Sequence, residues 1–186
     1  MKSATAFRLT NADVESMPDD GNRYELIDGE LYVSAAPSFL HQTILANIMF
    51  AFRDYLRDHP IGRITPGVGV IFDDYDGVIP DLVFATRESM TRTLAAGRFR
   101  AAPEIVIEIL SPGTSNIRRD RHVKLSLYNA NGVEECWIVD PENRSVEINR
   151  RNEAGDLVLE RNLNDRDELT SVVLPGFNLR VDTFFV

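Results

Sequence analysis

The stretch PEIVIEILSPGTSNIRRD, Pro103 to Asp120, sets Glu108 inside an otherwise apolar run of Ile105, Val106, Ile107, Ile109 and Leu110. A run this apolar reads as a strand buried on both faces. An ionised carboxylate in such a strand is costly unless a cation or strong donors meet it. Glu108 therefore needs a partner from elsewhere in the chain.

The same anomaly recurs upstream. In VIPDLVF, Asp81 lies in another apolar strand and shares a face with Ile79 and Val83. Pro80 has no N–H to give to a ladder, so this point falls at a bulge or a strand start. If the strands carrying Asp81 and Glu108 are neighbours, the two carboxylates meet at one buried locus and repel unless a proton or cation sits between them. A hard divalent cation such as Mg²⁺ resolves that conflict through oxygen ligands and activates water beside a phosphodiester. The competing reading pairs each carboxylate with a local arginine.

Earlier in the chain, RYELIDGELYV reads as a β-hairpin closed by a type I′ turn at Asp28-Gly29. Its register sets Ile27 opposite Glu30, Glu25 opposite Tyr32 and Tyr24 opposite Val33. One face carries Tyr24, Leu26, Leu31 and Val33 and reads as core. The other carries Glu25, which either meets solvent or forms the lip of a site. Ser38 caps a long helix to about His59, with Ile44, Leu45, Ile48, Met49, Phe52, Tyr55 and Leu56 on the apolar stripe. His41, in its first turn, lies off that stripe and reads as a surface or capping residue more readily than as one that reaches a site.

After Glu108, a turn at Ser111 to Thr114 leads to a helix from Ser115 to about Asn131, with Gly132 as its C′ glycine. Counting by four places Asp120, Lys124 and Tyr128 on one side. Lys124 then sits where core meets cleft, or else pairs only with Asp120. Strands follow on either side of Asp140 to Asn143, and a further hairpin turns at Ala154-Gly155.

At 186 residues, 44 % of them hydrophobic and 26 % charged, the chain reads as one globular domain spanning residues 1–186. The N-terminal MKSATAFRLTNADV shows no signal-peptide pattern, no apolar run is long enough to span a bilayer, and the one cysteine, Cys136, suits a reducing cytoplasm. The net charge of −9 opposes nucleic-acid binding at first sight. It is unevenly spread, with eight basic residues against four acidic ones from Arg87 to Lys124. Gly67-Val68-Gly69 is followed by Phe72, so there is no dinucleotide fingerprint. A P-loop, a GxSxG elbow, HExxH and zinc-type Cys/His spacing are also absent.

Taken together, RYELIDGELY, PDLVF, PEIVIEILSPGT and RRDRHVKLSLYNANGVEECWIVDP resemble the Uma-type family of restriction-endonuclease-like proteins, in the PD-(D/E)XK nuclease superfamily. The resemblance runs from about Arg23 through Pro141. It implies an α/β (α+β) fold with a mixed central β-sheet flanked by helices and extra β-hairpins. Pro80-Asp81 matches the PD dipeptide, and Glu108 matches the acidic residue of the second half-motif. Leu110 stands where that half-motif has its lysine, and Lys124 on the following helix is the substitute the resemblance suggests. Glu25 fits the acidic residue contributed by an early element.

The expectation is thus a Mg²⁺- or Mn²⁺-dependent endonuclease acting on DNA, with Asp81 and Glu108 as metal ligands. Lys124 faces the scissile phosphate and Glu25 supplies a further carboxylate. Arg118, Arg119 and Arg121 are candidate backbone-phosphate contacts. A homodimer is expected because cutting two strands commonly uses two copies of one site. The alternative is a nuclease-fold module that no longer cuts and serves nucleic-acid or protein binding, favoured by Leu110 and the acidic balance.

Overall fold

The computed structural model describes residues 8–113 and 119–186. Chain order begins with α1 (Asn11–Glu15), whose cap Thr10 makes a reciprocal capping box with Asp13. The hairpin β1 (Arg23–Ile27) and β2 (Glu30–Ser34) follows in the register read from the sequence. Asp28 and Gly29 both take positive φ, 52° and 74°, as a type I′ turn demands. Ser38 then caps α2 (Phe39–Asp58) by accepting the His41 N–H.

Short strands come next: β3 (Gly62–Pro66), β4 (Val70–Ile71), β5 (Gly77–Val78) and β6 (Leu82–Thr86). The stretch VIPDLVF divides between β5 and β6, and β6 starts directly after Pro80-Asp81, in keeping with the strand start that Pro80 called for. Helix α3 (Arg87–Thr93) and the small hairpin β7 (Leu94–Ala95) and β8 (Arg98–Phe99) lead to β9 (Ile105–Ile109), the strand that carries Glu108. A π-helical turn, Arg119–Lys124, runs directly into α4 (Leu125–Ala130), and Gly132 beyond it has φ 86°. The Ser115 cap expected for this helix lies outside the described residues. The last part comprises β10 (Glu135–Asp140), β11 (Ser145–Arg151), β12 (Leu157–Asn164), the hairpin β13 (Glu168–Thr170) and β14 (Asn178–Arg180), and a 3₁₀ turn, Val181–Phe185.

Among the described residues, the central sheet has the order β12-β11-β10-β9-β6-β3. It is mixed, because β9 and β10 run parallel while the other pairs are antiparallel. Successive side chains of β9 point to opposite faces. Ile105, Ile107 and Ile109 join a core with Phe52 of α2 and Trp137, whereas Val106 and Leu110 join a second core with Tyr128, Cys136 and Ile138. A second sheet, β2-β1-β5-β4-β8-β7, covers that second core and contributes Ile27, Val70 and Phe99.

The hairpin packs differently from the sequence expectation. Leu26, on the face read as core, is fully buried, but Glu25 and Ile27 on the other face are buried as well, while Val33 on the core face is 50 % exposed. The cause is that Ile27 and Tyr32 close the second core, so Glu25 is drawn inward and satisfied there. Among the described residues no helix is long and apolar enough to cross a membrane.

Candidate active site

Strand register builds the site. Leu82 pairs with Ile107 and Val83 with Val106, antiparallel, so one further step sets Asp81 opposite Glu108. Asp81 lies just outside the ladder because Pro80 precedes it and its own carbonyl accepts the Gly67 N–H. Its Oδ2 accepts the Ile109 N–H at 2.9 Å and faces His41 Nε2 at 3.0 Å, while Oδ1 lies 3.2 Å from Arg23 Nη1. Burial alone would raise the Asp81 carboxyl. The hydrogen bond and charge of His41, the Ile109 N–H and the Lys124 ammonium override burial and hold it below the usual carboxylate value.

Glu108 is served from the opposite side. Tyr128 donates its hydroxyl to Oε1, and Lys124 Nζ stands 3.2 Å and 3.4 Å from the two carboxylate oxygens. Lys124 also reaches Glu25 Oε1 at 2.8 Å and Asp120 Oδ1 at 4.0 Å. Glu25 in turn accepts the Ile79 N–H at 2.8 Å. Lys124 is 2 % exposed and enclosed by the carboxylates of Glu25, Glu108 and Asp120. Burial works against its charge, but Glu108, Glu25 and Asp120 together raise its pKa and keep it an ammonium.

The carboxylates nevertheless outnumber this ammonium. Burial, together with Asp120, Asp81 and Glu25, pushes Glu108 up to about 8 against the opposing pull of Lys124. These groups line a cleft of about 410 Å³, whose rim is the segment between β2 and α2, residues 34–38.

The four residues nominated from the sequence, Glu25, Asp81, Glu108 and Lys124, thus come together from separate elements. Three neighbours were not nominated for the site from the sequence. His41 is not a surface residue but 4 % exposed, because the start of α2 crosses over the junction of β6 and β9. Asp120 was visible as part of the Asp120, Lys124, Tyr128 stripe, yet only as a helix-surface partner. Arg23 carried no signal beyond opening a strand. Arg121, a candidate phosphate contact, is paired with Asp140 Oδ2 and Glu147 Oε1, each at 2.9 Å. Arg118 and the side chain of Arg119 lie outside the described residues.

The donor set suits a hard cation: carboxylate oxygens, buried, with negative charge in excess. Its present arrangement does not. Among the described residues no group of three or more His, Cys, Asp or Glu is disposed to hold a metal ion. Lys124 occupies the space between Glu25 and Glu108, and His41 and Arg23 engage Asp81. Cation binding would therefore require the two permanent cations, Lys124 and Arg23, to re-pair, while His41 and the Ile109 N–H keep Asp81 Oδ2.

Acidic residues at the meeting of two sheet strands, with a lysine delivered from the following helix, are an arrangement suited to phosphodiester chemistry. The profile of the Uma2 family, described as "putative restriction endonuclease", matches residues 12–182, and the chain belongs to that family. A crystal structure from Anabaena variabilis, described as "a putative nuclease belonging to DUF820", superposes with a TM-score of 0.74 at 16 % sequence identity. The match covers 95 % of this chain and 97 % of that one, and it shows a shared fold. A comparison with curated proteins found no match.

Proposed function

We propose that the protein is a Mg²⁺- or Mn²⁺-dependent endonuclease that hydrolyses DNA phosphodiester bonds in the cytoplasm. The observation that carries this reading is the convergence of Asp81, Glu108, Glu25 and Lys124 in one cleft, with Lys124 Nζ 2.8 Å from Glu25 and 3.2 Å from Glu108. Asp81 and Glu108 hold the metal, which when bound supplies neutralisation of phosphate charge and a lowered pKa for water. Lys124 exchanges Glu108 for a non-bridging oxygen of the scissile phosphate while keeping Glu25. Glu25 keeps Lys124 aimed, itself fixed by the Ile79 N–H. His41 and the Ile109 N–H hold the Asp81 carboxylate in place and ionised.

The test is nicking of supercoiled DNA in Mg²⁺ or Mn²⁺ by wild type and Asp81→Ala. Cleavage by wild type alone is expected, and equal nicking by both proteins sinks the assignment. We further propose a homodimer, so that two sites address the two strands. Light scattering across a concentration series tests it, and a monomer at all concentrations removes it.

A second reading has its own support. Leu110 fills the position of the motif lysine, and Lys124 is already paired with Glu25 and Glu108 within the site. On that reading the protein binds nucleic acid or a protein partner without cutting. DNA binding that persists with no cleavage in either metal is its signature.

A further inference from the structure

We propose that Arg23 is the phosphate-gripping residue of the cleft, exchanging its bond to Asp81 for an oxygen of the DNA backbone; this rests on the nuclease reading above. The first observation is its state of engagement. A guanidinium has five N–H donors, and among the described residues Arg23 forms one hydrogen bond, from Nη1 to Asp81 Oδ1 at 3.2 Å. Its side chain keeps 29 % of its exposure while that of Asp81 keeps 9 %. Arg23 is therefore a half-used cation at the mouth of a buried acidic site.

The second observation is where it stands. Arg23 lines both the main cleft and an adjoining groove of about 610 Å³ that runs past Gly67 and Gly69 to the turn at Ala96 and Gly97. Gly67, at φ 56°, forms an open floor beneath it: a Cβ there would meet Arg23 Nη2 at 3.8 Å and nothing else within 4 Å. A phosphate leaving the cleft along this groove passes beside the unused donors.

The third is the commitment of nearby arginines. Arg121 is held by Asp140 and Glu147, and Arg98 by Glu15 at 2.6 Å. A guanidinium matches a phosphate through its planar fork, and it is weakly hydrated enough to change partners. When Asp81 is drawn to a cation, Arg23 loses its only described partner and turns to the strand.

Binding of a fluorescein-labelled DNA duplex, followed by anisotropy in Ca²⁺ over a salt series, tests this together with Mn²⁺ calorimetry in the absence of DNA. Arg23→Gln should lower the slope of log K against log salt by about one. It should leave Mn²⁺ affinity equal to or above that of wild type, because Asp81 has lost a competitor. Arg23→Lys keeps the point charge, so it should keep the slope while losing affinity on the order of tenfold through loss of the fork.

An unchanged slope in Arg23→Gln overturns the proposal, as does a parallel loss of Mn²⁺ and DNA affinity, which would mark Arg23 as mere support for Asp81. Should Arg23→Gln fail to fold, wild-type affinity in Arg23→Lys overturns the forked contact. Wild type that binds no DNA removes the nuclease reading itself, whereas wild type that binds and cuts DNA with no effect of Arg23 removes this inference alone.

Discussion

Glu108 is the residue at which the local balance of charge is least favourable. Its ordinary carboxyl value lies near 4.5 and its folded value near 8. Between these pH values the folded protein retains a proton that the unfolded chain releases, so stability falls as pH rises. The contribution is fully present below about 4.5 and gone above about 8. Glu108→Gln should flatten this segment, with a difference on the order of a few kcal/mol between pH 5 and pH 8.5 in metal-free urea denaturation. An unchanged pH dependence would show that Glu108 does not hold this proton. His41 acts on the neighbouring carboxylate. Loss of such an orienting partner typically weakens metal binding about 10- to 100-fold, so His41→Ala should raise the Kd for Mn²⁺ by that factor. His41→Gln, which can still donate to Asp81, should recover part of it. Equal affinity in His41→Ala and wild type would remove the orienting role.

What could be read from the sequence follows from how each residue signals itself. Asp81 and Glu108 stand out because a carboxylate in an apolar strand demands compensation, and that demand is local. Helical spacing put Lys124 on one side with Asp120 and Tyr128, which holds even though its turn is π-helical, while its place in the site was what the family resemblance implied. Glu25 required the tertiary fact that the hairpin closes the second core. His41 and Arg23 are engaged only through crossings of distant elements, 40 and 58 residues from Asp81, and nothing near them in sequence announces it.

At the scale of elements, the β10–β11 turn explains how Arg121 is engaged. Asp140 Oδ1 accepts the N–H groups of Glu142 and Asn143 at 3.0 Å each, while Oδ2 takes the Asn143 amide and the Arg121 guanidinium. Burial raises the Asp140 carboxyl, but the donors of Asn143 and the Arg121 charge outweigh it and lower its pKa. A lowered folded value gives stability that is present above the ordinary 3.8 and lost as pH falls through the folded pKa. Asp140→Asn should therefore cost about 1–3 kcal/mol at pH 7. The gap to wild type should narrow below the ordinary carboxylate range, as thermal melts at pH 7 and pH 3 would show. A constant gap would mean that the turn depends on shape rather than charge. The β1–β2 hairpin makes the complementary point about elements. Turn chemistry dictated its register correctly, yet the burial of the Glu25 face as well as Leu26 depended on Ile27 and Tyr32 meeting another layer.

For the whole molecule, the central sheet separates two cores with different duties. One is aromatic and purely structural: Phe52 packs against Phe177, Trp137 and Phe84 with ring centroids 5.1, 5.5 and 6.0 Å apart. The other backs onto the acidic cleft. Phe52→Ala should destabilise the fold by about 3–5 kcal/mol through loss of contacts and the cavity left behind. Urea unfolding followed by tryptophan fluorescence measures this, and a loss below about 1 kcal/mol would show that the layer can collapse around the gap.

The alternation of β10 has a practical consequence. Trp137, the sole tryptophan, faces the aromatic core, and the adjacent Cys136, the sole cysteine, faces the core behind the cleft; both are fully buried. One strand therefore carries an optical clock for one layer and a chemical clock for the other. Quenching of the indole and labelling of the thiol can time the opening of the two layers separately in the unmodified chain.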